Sequence, residues 1–161
     1  MELYWLNLLH LLAAAVWVGG SLCVALVIMP VLRRQAPHDQ RITLIAAMGR
    51  RFRTVGWIAL AVLVLTGLRR AMLALSGVPD PWAALAATAY GRTLTSKILV
   101  VAVLLVLQLV HDFVLGPRVQ RLAAERSPGL ARARAATIGL AMGGLLLSLV
   151  AVALAASLRF R

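Results

Sequence analysis

A long apolar run opens the chain, from Leu3 to Leu32. Its thirty residues include no Asp, Glu, Lys or Arg, and its one histidine is His10. About 20 apolar residues cross the hydrocarbon core of a bilayer, and tilt accommodates a longer run. The pattern therefore predicts a membrane-spanning helix. At about 100° per residue, several residues share a face of this helix with His10: Ala14, Trp17, Ser21 and Val24.

Three further apolar runs of similar length follow, at residues 55–75, 94–115 and 136–158. The pattern predicts an all-α integral membrane four-helix bundle, built as one domain over residues 1–161. Its first two connections have clear local signals. We expect Pro30 to end the first helix, and Asp39 to cap a short interfacial helix from Gln40 to Met48.

The later connections also contain breaker residues. The stretch from Ser76 to Trp82 has strong turn chemistry, and Gly116-Pro117 is expected to stop the third helix. In the fourth helix, Gly139, Gly143 and Gly144 form a small-residue surface typical of close packing against a neighbouring helix.

Composition supports a membrane protein and excludes a soluble domain. Hydrophobic residues make up 62% of the chain and charged residues 14%, and the mean hydropathy is +0.92. The first run is too long for the core of a cleavable signal peptide. The single cysteine, Cys23, excludes an intramolecular disulfide and a Cys-x-x-Cys metal site, and we expect it to be a small buried apolar residue.

Arginine is distributed unevenly between the connections. Residues 33–54 contain six arginines and residues 116–135 contain five, whereas residues 76–93 contain only Arg92. Cytoplasmic connections collect Lys and Arg, so both termini are predicted to lie on the outer, periplasmic side. The net charge of +12 then attracts anionic lipid headgroups at the cytoplasmic face. No aromatic and basic recognition surface accompanies these arginines, so nucleic-acid binding is not expected.

Four ionisable residues share one depth in the predicted outer leaflet: His10, Arg69, Arg70 and Lys97. No acidic residue is expected at that level, so the three cations would need an anionic partner from outside the chain. The alternative is that Lys97 only snorkels to the interface. Together with Trp17 and Met72, these residues are predicted to line a pocket. His10 and Met72 are candidate ligands for Cu(I) or a haem iron, because imidazole and thioether suit both.

The third helix carries a second polar group. Gln108 and His111 return to the face of Lys97, with Asp112 beside them. His111 lies 14 residues beyond Lys97, which is about 21 Å of helix, so His10 and His111 cannot clamp one haem iron. The group is either a solvated helix end or a proton or ion relay.

Several motifs, taken in order, resemble the copper-resistance protein D (CopD) domain family. They are His10 to Gly20 with Trp17-Val-Gly-Gly, Met29-Pro30, Arg51-Phe52, Leu65-Thr66-Gly67, Tyr90-Gly91-Arg92 leading to Lys97, and Gly116-Pro117. The resemblance implies a multi-pass protein of the bacterial inner membrane that handles copper, in resistance or in transport. A periplasmic copper protein, another membrane protein or a second copy of the chain are the partners this implies.

The same pattern of a histidine in helix one, Thr-Gly closing helix two and a lysine opening helix three is similar to the HemJ type of protoporphyrinogen oxidase. This second resemblance implies haem b, with His10 as axial ligand and Arg69 or Arg70 with Lys97 holding carboxylates. Copper handling is the leading expectation, without assigned catalytic residues. A haem-binding redox protein or oxidase and a structural or assembly subunit are the alternatives.

Overall fold

The computed structural model describes residues 1–35 and 37–157, without the side chains of residues 38, 39 and 42. The chain is 92% helical, and its described part contains no strand. We number its helices α1 (Glu2–Gln35), α2 (His38–Leu75), α3 (Pro81–Ala87), α4 (Ala89–Ala124) and α5 (Leu130–Ser157). Only α3 is too short to cross a bilayer. The all-α class and the four membrane-span helices are therefore confirmed.

The first two predicted helix boundaries are wrong. Helix α1 continues through Pro30 to Gln35, and α2 starts at His38 and runs without interruption for 38 residues. The expected short helix from Gln40 to Met48 is thus the first part of α2. Asp39 lies inside α2 and does not cap it. The N-cap of α2 is Pro37, whose extended backbone precedes the first turn.

Helix α4 likewise continues past Gly116-Pro117, to Ala124. In both cases a π-helical segment directly precedes the proline region: Val24–Ile28 before Pro30 and Val110–Leu115 before Pro117. A proline ring clashes with the carbonyl four residues earlier, and a wider π turn relieves that clash. This explains why neither proline ends its helix.

The connection before α4 matches the prediction of a turn. Residues 76–80 are not helical, and the side chain of Asp80 accepts a hydrogen bond from the Ala83 amide at 3.0 Å as the N-cap of α3. Thr88 caps α4 in the same way, from the Gly91 amide at 2.9 Å. A Cβ on Gly91 would overlap the backbone of Ala84 and Leu85, so this glycine allows α3 to pack on the start of α4.

The chain divides into two compact units, residues 1–79 and 80–161. In the first unit α1 and α2 run antiparallel, because later residues of α1 meet earlier residues of α2. Trp17 is 6% exposed and stacks on Phe52 with ring centroids 6.2 Å apart. Two glycines receive these rings: a Cβ on Gly56 would lie 2.8 Å from Trp17, and one on Gly20 would lie 2.6 Å from Phe52.

In the second unit α4 packs on α5, with Leu94 and Leu104 of α4 and Ala133 and Ser148 of α5 buried. The glycines of α5 make no close contact within the second unit. Apart from the backbone of α5 itself, no heavy atom of the described residues of this unit lies within 4 Å of a Cβ built on Gly139, Gly143 or Gly144. Helix α5 begins at Leu130 rather than Ala136, and its predicted end at Leu158 lies outside the described residues.

Large apolar side chains remain on the surface of each long helix. Leu26, Leu65, Leu99 and Leu146 are all more than 60% exposed. Side chains of this kind in span-length helices are solvated by lipid rather than by protein. Cys23 also belongs to this surface, so the expectation that it is buried is wrong. Four helices of the described residues are thus long and apolar enough to cross a membrane.

Candidate functional site

His10 is held against α2 by one short hydrogen bond. Its Nδ1 lies 2.8 Å from Oγ1 of Thr66, which is 6% exposed. The single hydroxyl proton of Thr66 is already donated to the carbonyl of Val62 at 2.6 Å. The hydroxyl must therefore accept from His10, which places the ring proton on Nδ1 and the lone pair of a neutral imidazole on Nε2.

Gly67 forms the surface beneath this ring. A Cβ on Gly67 would lie 3.4 Å from Cε1 of His10 and 3.9 Å from Nδ1. The Thr66-Gly67 pair thus has two roles, an acceptor for the imidazole and a flat contact for its edge. The fold explains why these two residues occur together opposite His10.

The predicted shared face of α1 is confirmed. His10 and Trp17 both meet α2, the first at Thr66 and Gly67 and the second at Phe52 and Gly56. Their surroundings differ, however. Trp17 is enclosed by ring and glycine contacts, which assigns it to packing of the first unit, whereas His10 is half-buried with a polar partner.

Arg69 already has an acidic partner, contrary to the expectation that no carboxylate lies at its level. Its Nε and Nη2 both lie 2.7 Å from Oε1 of Glu2, and the two side chains are half-exposed. The first turn of α1 reaches the last turns of α2, which brings Glu2 to Arg69. Arg70 is half-buried one turn beyond Thr66. Of the predicted cations, Arg69 is thus already paired with a carboxylate within the first unit.

The structure does not bring Met72 to His10. Met72 is 53% exposed, and it lies six residues beyond Thr66, which is about 240° around the helix. Its side chain therefore leaves α2 on a different side from the hydroxyl that holds His10. The described residues also contain no group of three or more His, Cys, Asp or Glu placed to bind one metal ion.

Asn7 is a polar residue that the sequence reasoning missed. Its Oδ1 is buried and has no hydrogen-bond partner among the described residues. Asn7 precedes His10 by three residues and so lies one turn away on a neighbouring part of the same face. The sequence signal that could have identified it is the Asn7 amide inside an apolar run, because buried polar groups normally have hydrogen-bond partners.

In the second unit, Lys97 lies half-buried on the face of α4 that also carries the buried Leu94 and Leu104. The proposed grouping of Lys97 with His10 and Arg69 joins residues of different units and stays a prediction.

The polar group of α4 is assembled around Asp112. This carboxylate is 8% exposed, and both of its oxygens accept hydrogen bonds. Oδ2 accepts from Nε2 of Gln108 at 2.8 Å and Oδ1 from Nδ1 of His111 at 2.9 Å. The His111 side chain is 29% exposed. All three predicted members are thus in contact, and the carboxylate rather than the imidazole is the buried member.

Comparison with known proteins gives one match. A family described as Copper resistance protein D matches residues 46–158, more than half of the chain. The matched range includes Thr66, Lys97, His111 and Asp112, and it begins after His10. No curated protein and no solved structure gives a significant match.

Proposed function

Because the chain belongs to the copper-resistance protein D family, we propose that it handles copper ions as cargo in the membrane and that His10 contacts the ion. Family membership supports the coarser statement, a membrane protein related to copper resistance. The role of His10 is the finer step, and its support comes from the geometry around the ring.

The observation that carries this proposal is the hydrogen bond from His10 to Thr66. Metal-binding histidines usually donate their second ring N–H to an oxygen acceptor, which fixes the ring and its tautomer. His10 has this arrangement, with Nδ1 bonded and the lone pair on Nε2. Imidazole is a suitable ligand for copper. The nearby Asn7 Oδ1, buried and unpaired among the described residues, is an oxygen donor one turn away.

A single imidazole is appropriate to a transfer site. One imidazole binds a metal ion weakly and releases it readily. We place this protein in the bacterial inner membrane, with anionic lipids at its arginine-rich face and a periplasmic copper protein, another membrane protein or a second copy of the chain as partner. These assignments rest on the family and on the charge distribution.

The test is a histidine substitution in the purified protein. His10→Gln keeps a polar side chain of similar size and removes the imidazole. We expect weaker binding of Cu(I) by this variant in a competition assay with a chromogenic chelator, and altered copper tolerance of cells that carry it. His38→Gln is the matched control, since it also removes one imidazole. Copper binding by the His10 variant equal to that of the parent would contradict the proposal.

A second candidate function is haem b binding, and one observation favours it. An axial haem ligand requires one imidazole held through its other nitrogen, and His10 meets this condition without any further metal ligand. The haem would supply one-electron chemistry. Arg70 would then hold a propionate, as Arg69 is engaged by Glu2. A Soret band in the purified protein, lost in His10→Gln, would favour haem over copper.

A further inference from the structure

The two histidines whose ring contacts are described share one arrangement. His10 donates from Nδ1 to a hydroxyl oxygen at 2.8 Å, and His111 pairs through Nδ1 with the Asp112 carboxylate at 2.9 Å. An ionised carboxylate only accepts, so the ring proton of a neutral His111 lies on Nδ1 and its lone pair on Nε2. From this parallel we infer that His111 is a second copper-contacting residue, located in the second unit. The inference rests on the proposed function.

The Asp112 carboxylate is fixed at both oxygens, which makes it a firm support for the ring. Gln108 lies one turn earlier and holds Oδ2, while His111 holds Oδ1. Consecutive residues of an α-helix point about 100° apart and do not normally face each other. His111 and Asp112 are nevertheless hydrogen-bonded to each other. Both lie in the π-helical segment Val110–Leu115, whose turn is wider and brings consecutive side chains closer in direction.

The His111 side chain is more exposed than the Asp112 side chain, as expected if His111 is the ligand and Asp112 its support. Asp112 is 8% exposed, whereas the His111 side chain is 29% exposed. The imidazole thus has surface left for a further contact, whereas the carboxylate is enclosed by its donors. Asp112 and Gln108 are therefore positioning residues, and His111 contacts the metal. This is the carboxylate–histidine–metal arrangement, in which the carboxylate orients the ring and raises its basicity.

The chemistry favours a borderline or soft d-block cation over Mg²⁺ or Ca²⁺, which prefer oxygen ligands. With one imidazole per site, copper is held weakly and exchanges readily. A purely structural role for the cluster makes a different prediction. If His111 served only to satisfy the buried Asp112 carboxylate, copper would leave the His111 ring unaffected.

The experiment follows each ring separately by NMR of the full chain in lipid nanodiscs, with ¹⁵N-labelled histidine in a His38→Gln background. Added Cu(II) broadens the ring signals of histidines that it contacts. We expect both remaining signals to broaden, and we expect His111→Gln to lower the number of bound copper ions per chain from two to one. A His111 signal that persists when the His10 signal is lost would overturn the inference.

Asp112→Asn tests the positioning role. It keeps the side-chain size and removes the charge, so about 10- to 100-fold more copper is expected to be needed to broaden His111, with His10 unchanged. Thr137→Val is the matched control, because this hydroxyl of the same unit bonds only to its own helix, at Ala133. An unchanged copper requirement in Asp112→Asn would also overturn the inference. If copper broadens the His111 signal but leaves the His10 signal unchanged, the proposed function at His10 is refuted and the inference for His111 is supported.

Discussion

At the scale of single residues, the substitution Thr66→Val distinguishes the contribution of this hydroxyl to stability from its proposed contribution to metal affinity. Thr66→Val keeps the shape of the side chain but removes the acceptor of the His10 Nδ1–H. Interhelical hydrogen bonds in membranes contribute about 0.6 kcal/mol on average, so the unfolding free energy should fall by less than about 1.7 kcal/mol. Loss of an orienting partner weakens metal binding by about 10- to 100-fold.

Copper competition and unfolding in detergent micelles measure the two effects of Thr66→Val on one preparation. The control is Thr54→Val, whose hydroxyl is exposed and bonds to the Arg50 carbonyl of its own helix. Equal copper affinities of the two variants would show that Thr66 does not orient a metal-binding ring.

Gly56 and Gly49 give a matched pair for the packing of Trp17. A Cβ at residue 56 would lie 2.8 Å from Cζ3 of Trp17, whereas nothing described lies within 4 Å of one at residue 49. Overpacking of this kind typically costs about 1–3 kcal/mol. We therefore expect Gly56→Ala to destabilise the first unit and Gly49→Ala to be neutral or stabilising, because alanine favours the helix. Unfolding midpoints of the two variants check this, and equal midpoints would contradict the Trp17 contact.

The sequence predicted faces correctly at this scale, but it did not predict partners. Helical periodicity placed His10 and Trp17 on one side of α1, and the structure confirms this. Periodicity within one helix does not give the register against its neighbour, so the pairing of Glu2 with Arg69 and of His10 with Thr66 was not predicted. The Gln108, His111 and Asp112 group is local, and for that reason its members were identified together.

At the scale of elements, Gly91 is the residue that allows α3 to pack on α4. A Cβ there would overlap the backbone of Ala84 and Leu85, which cannot move as a side chain can. Gly91→Ala should therefore displace α3 and speed amide hydrogen exchange in residues 81–87. The control is Gly77→Ala in the preceding turn, where nothing described lies within 4 Å. Unchanged exchange in the Gly91 variant would show that the two helices are not in backbone contact.

Helix existence was predictable from the apolar runs, and helix ends were not. Proline signals a break in a soluble helix, but in a membrane-spanning helix an end inside the apolar region would leave backbone groups unpaired. The π-helical segments before Pro30 and Pro117 let both helices continue instead. The capped turn at Asp80 was predictable, since its chemistry is local and exposed to water.

At the scale of the whole molecule, the first arginine-rich connection is largely a helical continuation of a membrane span. Helix α2 has 38 residues, about 57 Å at the helical rise, while the hydrocarbon core is about 30 Å thick. Arg41, Arg50, Arg51 and Arg53 thus lie on a helical extension of a membrane span rather than in a loop. The positive charge is therefore fixed on a helix next to the span, where it favours placing this end of α2 on the cytoplasmic side.

Both ends of the chain and the turn around Trp82 are predicted to lie outside, with the arginine-rich ends of the helices inside. Six arginines in residues 33–54 and five in residues 116–135 oppose one in residues 76–93, and positive residues near span ends set the orientation. Alkaline phosphatase is active only outside the cytoplasm, so a fusion after Trp82 should be active and one after Arg126 inactive. The reverse pattern would invert the molecule and place His10 near the cytoplasmic side. Replacing Arg50, Arg51 and Arg53 with Gln should reduce the contrast between the two fusions, because it removes half of the arginines that hold the first connection inside.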